Sequence, residues 1–183
     1  MIAVIVAIVV IVVLIAIVVG SYNGIVRLRN QVDNGWSQID VQIKRRADLI
    51  PNLVETVKGY AAHESGTFEA VTQARNASLS AASPAAAAAA EGPIEAALGK
   101  LFALAEAYPD LKADQNFRQL QTEITATEDR IAYARQFYND SVTRYHNKIE
   151  TFPGVVVAKF GTFPRRELFE ADDVDRAVPK VQF

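Results

Sequence analysis

Apolar residues follow three successive patterns along this chain. From Ile2 to Val19 they are continuous, with Val, Ile, Ala and Leu and no polar residue among them. From Ile25 to about Leu79 they recur at helical spacing. Ile25, Val32, Ile39, Leu53 and Tyr60 fall in sevens, and Trp36, Ile43, Ile50, Val57 and Val71 form a companion row. From about Asp114 to Ile149, Phe117, Leu120, Ile124, Ile131, Ala134, Tyr138, Val142, Tyr145 and Ile149 mark one stripe. Paired rows in sevens are the seam of a helix packed on other helices. A single stripe is the buried side of an amphipathic helix. The opening run, taken as a helix at about 1.5 Å per residue, spans roughly 27 Å, close to the hydrocarbon thickness of a bilayer.

Breaks in the patterns set the expected boundaries. Pro51 falls inside the second pattern, where a proline removes a backbone donor and costs about 3 kcal/mol. Either one long helix kinks there, or Asp48 caps a new helix with Pro51 in its first turn. The register runs straight through, which favours the kink. Residues 78–92 read SLSAASPAAAAAAEG. Composition makes this low-complexity insert a flexible connection, although Ser83-Pro84 could start a short alanine helix that Gly92-Pro93 stops. Pro93 would then open a short helix to Ala107 with Ile94, Leu98, Leu101 and Leu104 on one face. Tyr108-Pro109-Asp110 is a turn, and Thr151-Phe152-Pro153-Gly154 ends the last long helix. Beyond it a short apolar piece leads into an extended tail, where Phe163, Phe169 and Phe183 are spaced as a strap laid over hydrophobic grooves.

Charge and composition narrow the function. The net charge is −2, with both signs scattered, so no basic stripe suggests nucleic acid. The chain has no cysteine, which excludes disulfides, thiolate catalysis and lipid attachment through sulfur. A secretory leader would open with a positive segment, and only Met1 precedes the apolar run. Small residues at Val18-Val19-Gly20 would still permit cleavage before Ser21. The expectation is a retained anchor, residues 1–20, with Tyr22 at headgroup level. Arg27 and Arg29 follow the run closely, and the positive-inside bias then places the C-terminal part in the cytoplasm.

Candidate chemistry is sparse. Arg45, Arg46 and Asp48 interrupt apolar rows, and Arg135, Asn139 and Asp140 do the same in the last helix. Buried charges need partners. These residues therefore read as an interhelical polar network that fixes helix pairing, with a recognition patch for a partner or an anionic headgroup as the functional alternative. His63-Glu64 begins like a zinc-protease motif, but no second histidine follows at the required spacing. Glu123, Glu128 and Asp129 lack the Glu-x-x-His pairing of carboxylate di-iron bundles. Asp172, Asp173 and Asp175 lack EF-hand spacing. No nucleophile, base and orienter assemble, and no cofactor motif is present.

Tyr22-Asn23, Trp36 to Gln42, the run KRRADLIPNLVETVKGYAAHE from Lys44 to Glu64, EDRIAYARQFYNDSV from Glu128 to Val142 and the later Phe152-Pro153 together resemble the LemA family. The resemblance covers essentially all of residues 21–183. It implies an all-α fold, an N-terminal single transmembrane helix followed by an up-and-down bundle of four helical segments. It implies no established enzymatic activity or cofactor. Its motif positions are Arg45, Arg46, Asp48, Pro51, Asn52, Lys58, Tyr60, His63 and Glu64, with Arg135, Tyr138, Asn139 and Asp140 from the second block. Some relatives carry a lipobox cysteine where this chain has Gly20-Ser21; such lipoproteins sit outside the cytoplasmic membrane, against the direction of the arginine bias. The expected role is a non-enzymatic membrane scaffold that self-associates as a homo-oligomer or docks partner proteins. The alternatives are a lipid-sensing or membrane-shaping module and an accessory hydrolase subunit using His63 and Glu64.

Overall fold

A computed structural model describes residues 1–170. Phe183 and the acidic group Asp172, Asp173 and Asp175 lie outside the described residues. Six helices and no strand occur among the described residues: α1 (Ile2–Lys58), α2 (Ser65–Ser80), α3 (Pro84–Glu106), α4 (Pro109–Ala113), α5 (Gln115–Glu150) and α6 (Gly154–Phe160).

α1 is one helix of 57 residues. Residues 2–20 are exposed on every face, and burial begins at Ser21. The apolar run and the bundle thus share a single rod. Pro51 does not break it. A proline leaves the carbonyl four residues back without its helical donor. That carbonyl belongs to Ala47, and the Arg75 Nε of α2 donates to it at 2.6 Å. A bond from a neighbouring helix replaces the one that proline removes.

The second apolar pattern is not one helix to Leu79. α1 ends at Lys58, and residues 59–64 turn the chain into α2. Gly59, a poor helix former, stands at the break. Tyr60 continues the row of sevens in sequence but is exposed, and its hydroxyl donates to Asp114 Oδ2 at 3.2 Å.

The alanine-rich insert is helical as well, against its expected flexibility. Ser83 accepts from the Ala86 N–H at 3.2 Å as the N-cap, and Pro84 occupies the first turn. α3 then runs through Gly92-Pro93 without stopping. Pro93 costs about 3 kcal/mol in an isolated helix. Burial of Ile94, Leu98 and Leu101, at about 1.5–3 kcal/mol each, outweighs it. Buried Ala87, Ala88 and Ala90 give this helix a small-residue face.

α5 starts at the Asp114 cap, whose Oδ1 accepts from the Phe117 N–H at 2.8 Å. It runs antiparallel to α1 along most of the rod. Gly35 marks the close approach: a Cβ there would meet the Tyr138 Cα at 3.2 Å. Two apolar cores result. The distal one joins Ile50, Leu53, Val57, Phe68, Val71, Leu98, Leu101 and Phe117 from α1, α2, α3 and α5. The proximal one, nearer the apolar run, joins Ile25, Val32, Ile39, Ile131, Tyr138, Val142 and Tyr145 with Val157 and Phe169.

Candidate functional site

A buried polar layer separates the two cores. It is centred on Arg46, which occupies the row of Ile25, Val32, Ile39 and Leu53 and is 1% exposed. Its Nη2 donates to Glu91 Oε1 at 2.6 Å and its Nη1 to Glu91 Oε2 at 3.0 Å. This is the two-pronged geometry that guanidinium and carboxylate share. Nη1 also donates to Glu128 Oε2 at 2.8 Å, and Nη2 reaches Ser78 Oγ at 3.5 Å. The layer therefore ties α1, α2, α3 and α5 at one height. Glu91 falls between the apolar Ala88 and Ile94, and Glu128 between Ile124 and Ile131.

The electrostatics follow from this packing. Burial by itself lowers the Arg46 pKa. The hydrogen bond and charge of Glu91, joined by Glu128, overcome that and raise it. Glu95, on the rim, has its carboxyl pushed up by desolvation and then by the negative charges of Glu128 and Glu91. Glu91, Glu95 and Glu128 bring carboxylate oxygens within 4.8 Å of one another. Such a set could ligate a cation, but the Arg46 guanidinium already supplies the positive charge between Glu91 and Glu128.

The second expected block builds a different device. Residues 161–170 follow α6 without helix or strand. Asn139 clasps them reciprocally: Nδ2 donates to the Phe169 carbonyl at 2.9 Å, and Oδ1 accepts from the Phe169 N–H at 2.8 Å. Tyr138 donates to the Glu167 carbonyl at 2.7 Å, and Tyr145 to the Pro164 carbonyl at 2.9 Å. His146 Nε2 accepts from the Arg166 N–H at 3.1 Å. Arg135 lies 5.6 Å from the Phe169 ring centre. Phe163 packs edge-on to Tyr22 at 5.6 Å between ring centres. Burial pushes the Tyr138 hydroxyl up to about 12 and also raises Tyr145. This is the strap expected of the tail, and Phe163 and Phe169 are its apolar anchors.

The expected residues therefore do not form one cluster. Arg46 lies in the polar layer, while its neighbours Arg45 and Asp48 are exposed, as are Pro51 and Asn52. Arg135, Tyr138 and Asn139 belong to the strap clasp, and Asp140 faces solvent. Lys58, Tyr60, His63 and Glu64 sit at the distal turn. Lys58 pairs with Glu55 at 3.3 Å and its Nζ lies 5.8 Å from the Phe68 ring centre. His63 is exposed. A groove of about 720 Å³ opens beside this turn and is lined by Lys58, Ala62, Phe68, Glu69 and Gln73 among others.

Three residues central to the observed geometry were not among the expected ones: Glu91, Ser78 and Arg75. Glu91 had a signal. On the apolar row Ala87, Ile94, Leu98 and Leu101 it is a lone carboxylate, the mirror image of Arg46 on its own row. Its place inside a low-complexity insert hid it. Arg75 had no signal, because only the fold brings it to Ala47.

An antiparallel helical bundle on an unbroken apolar stalk defines a class of membrane-associated all-α proteins. The chain belongs to the LemA family, whose model matches residues 35–183. It is 30% identical over 164 residues to Protein LemA of Metamycoplasma hominis, covering 87% of this chain and 74% of that one. It is 27% identical over 189 residues to Magnetosome protein MamQ of Magnetospirillum gryphiswaldense, covering 87% and 70%. Magnetosome protein MamQ 2 of Paramagnetospirillum magneticum is 27% identical over 175 residues, covering 81% and 64%.

Proposed function

We propose that this protein is a single-pass, non-enzymatic scaffold that holds its bundle on the cytoplasmic side of a membrane and self-associates or docks partner proteins there. The observation that carries this reading is the continuity of α1. Residues 2–19 are long and apolar enough to cross a bilayer, and the same helix runs without a joint to Lys58. From Ser21 to Lys58 the rod rises roughly 55 Å at about 1.5 Å per residue. A stiff stalk fixes the height and tilt of whatever the bundle presents, which suits positioning better than diffusion-limited capture. Arg27 and Arg29, just past the run, favour the cytoplasmic side. Large apolar side chains remain exposed on the two longest helices: Val41 on α1, and Tyr133 and Phe137 on α5. They offer a surface for a second copy or another membrane protein.

Crosslinking in native membranes tests the proposal. Copies linked to each other, or to a reproducible partner, are expected through single cysteines placed at Val41 or Tyr133. Monomer alone, with no co-purifying protein, removes the scaffold reading. Protease accessibility of the bundle in inverted vesicles, but not in right-side-out vesicles, is the result expected of the topology.

A further inference from the structure

We infer that α6 and the turn before it form a second membrane contact, an interfacial foot that rests in the headgroup layer beside the anchor. The inference rests on the anchored reading of α1. Its own evidence lies at the proximal end of the bundle.

Three exposed apolar side chains stand there without cover: Phe152 at 81%, Val156 at 45% and Phe160 at 91% exposure. Val156 and Phe160 are four residues apart within α6, the spacing that places helical residues on one face, and Phe152 projects from the turn just before the helix. The opposite side of α6 is packed, with Gly154 and Val157 buried. Exposed phenylalanines cost free energy in water, and apolar side chains clustered within nine residues at one end of the bundle mark a candidate contact surface.

The height of this patch decides what covers it. A Cβ on Gly154 would stand 3.8 Å from Ser21 Oγ, so α6 begins level with the first buried residue of α1. Ser21 lies only two residues past Val19, the end of the apolar run. Each headgroup layer is about 5–8 Å thick, four or five residues of helix rise. The start of α6 is therefore at headgroup depth whenever residues 2–19 fill the hydrocarbon. Tyr22 and Phe163, in contact with each other, sit at the same level.

Charge agrees. Lys148, Lys159, Arg165 and Arg27 lie in or beside this end, with Glu150 paired to Arg165 at 3.4 Å. Basic side chains around an apolar face are the composition of an interfacial helix. The occupant is thus a bilayer interface, continuous with the anchor, with anionic headgroups beside the lysines. A foot on one side of the stalk would also fix the rotation of the rod about its axis, so every copy presents the same bundle face.

The test uses the full chain in vesicles of zwitterionic and anionic phospholipid. No native cysteine interferes, so nitroxide labels can be placed singly through Phe160→Cys, Val156→Cys, Leu14→Cys and Asn52→Cys, all at exposed positions. Collision rates with oxygen, which partitions into lipid, and with a nickel chelate, which stays in water, report depth. At 160 and 156 nickel collisions should fall by roughly an order of magnitude relative to 52, as burial of about 5–10 Å into the interface requires, while oxygen collisions rise. A deep label at 14 with positions 160 and 156 as wet as 52 overturns the foot and leaves the anchor standing. A wet label at 14 overturns both. Loss of oxygen and nickel collisions together at 160 signifies cover by protein and overturns the foot in favour of a protein contact.

Discussion

Replacing Arg46 with methionine probes the polar layer most directly. The substitution keeps most of the volume and removes the charge. Glu91, 4% exposed, then loses both prongs of its ion pair and has no route to water. Glu128 loses its bond too, but its side chain is 33% exposed and can rehydrate. The cost should therefore come mainly from Glu91, at about 3–5 kcal/mol, the range for breaking one side of a buried pair. At about 2–4 °C per kcal/mol for a chain of this size, the melting temperature falls by roughly 10 °C. Glu91→Met alone should cost a similar amount, because it leaves the buried Arg46 guanidinium with Glu128 as its remaining carboxylate. The double variant should regain much of the loss, since apolar residues of similar volume often replace buried pairs at little net cost. The cycle is read by urea and thermal unfolding of the full chain in detergent, followed by circular dichroism. A double variant that costs no more than either single one corresponds to a coupling energy of at least about 3 kcal/mol, at or above the upper end for residues in direct contact. Additive single effects, or a loss below about 1 kcal/mol for Arg46→Met, would mean that the layer is not held by this pair.

Arg75→Ala should destabilise the protein by about 1–3 kcal/mol, because it leaves the Ala47 carbonyl unsatisfied in the interior. The loss should shrink in a Pro51→Ala background, where the helix supplies its own donor; an undiminished loss would refute the link between these residues. Asn139→Ala should release the strap, costing about 2 kcal/mol for two bonds to the Phe169 backbone, and tryptic cleavage after Arg165 and Arg166 should accelerate while the bundle stays helical. Glu95→Gln should stabilise slightly at neutral pH, by no more than about 0.5 kcal/mol because water screens this rim carboxylate. Its carboxyl pKa is raised in the folded state, by desolvation and then by Glu128 and Glu91. The stability it contributes is present in acid and is lost as pH rises through the folded value, so the advantage of glutamine should vanish below about pH 4 in urea midpoints taken at both pH values.

The helices themselves were written in local pattern. The row Ile25, Val32, Ile39, Arg46, Leu53 is buried as its spacing requires, the α5 stripe from Phe117 to Ile149 is largely buried, and the apolar run at residues 2–19 stands free of the bundle. Periodicity records which face a helix buries, and that information needs no partner. Three decisions required the tertiary structure. Where a row of sevens stops being a helix was one: Tyr60 and Val71 continue the count, yet the chain turns at residues 59–64 so that α2 can pack on α1 and α3. Whether Pro51 and Pro93 break their helices was another. Each local cost is about 3 kcal/mol, and what offsets it comes from elsewhere, from Arg75 in one case and from the buried face of α3 in the other. The last was the pairing of charges. Arg46 declares itself as a cation on an apolar row, but its partners lie 45 and 82 residues away. Only the packing of α3 and α5 against α1 brings those carboxylates to one height, because electrostatic complementarity between helices depends on register, which no single helix contains.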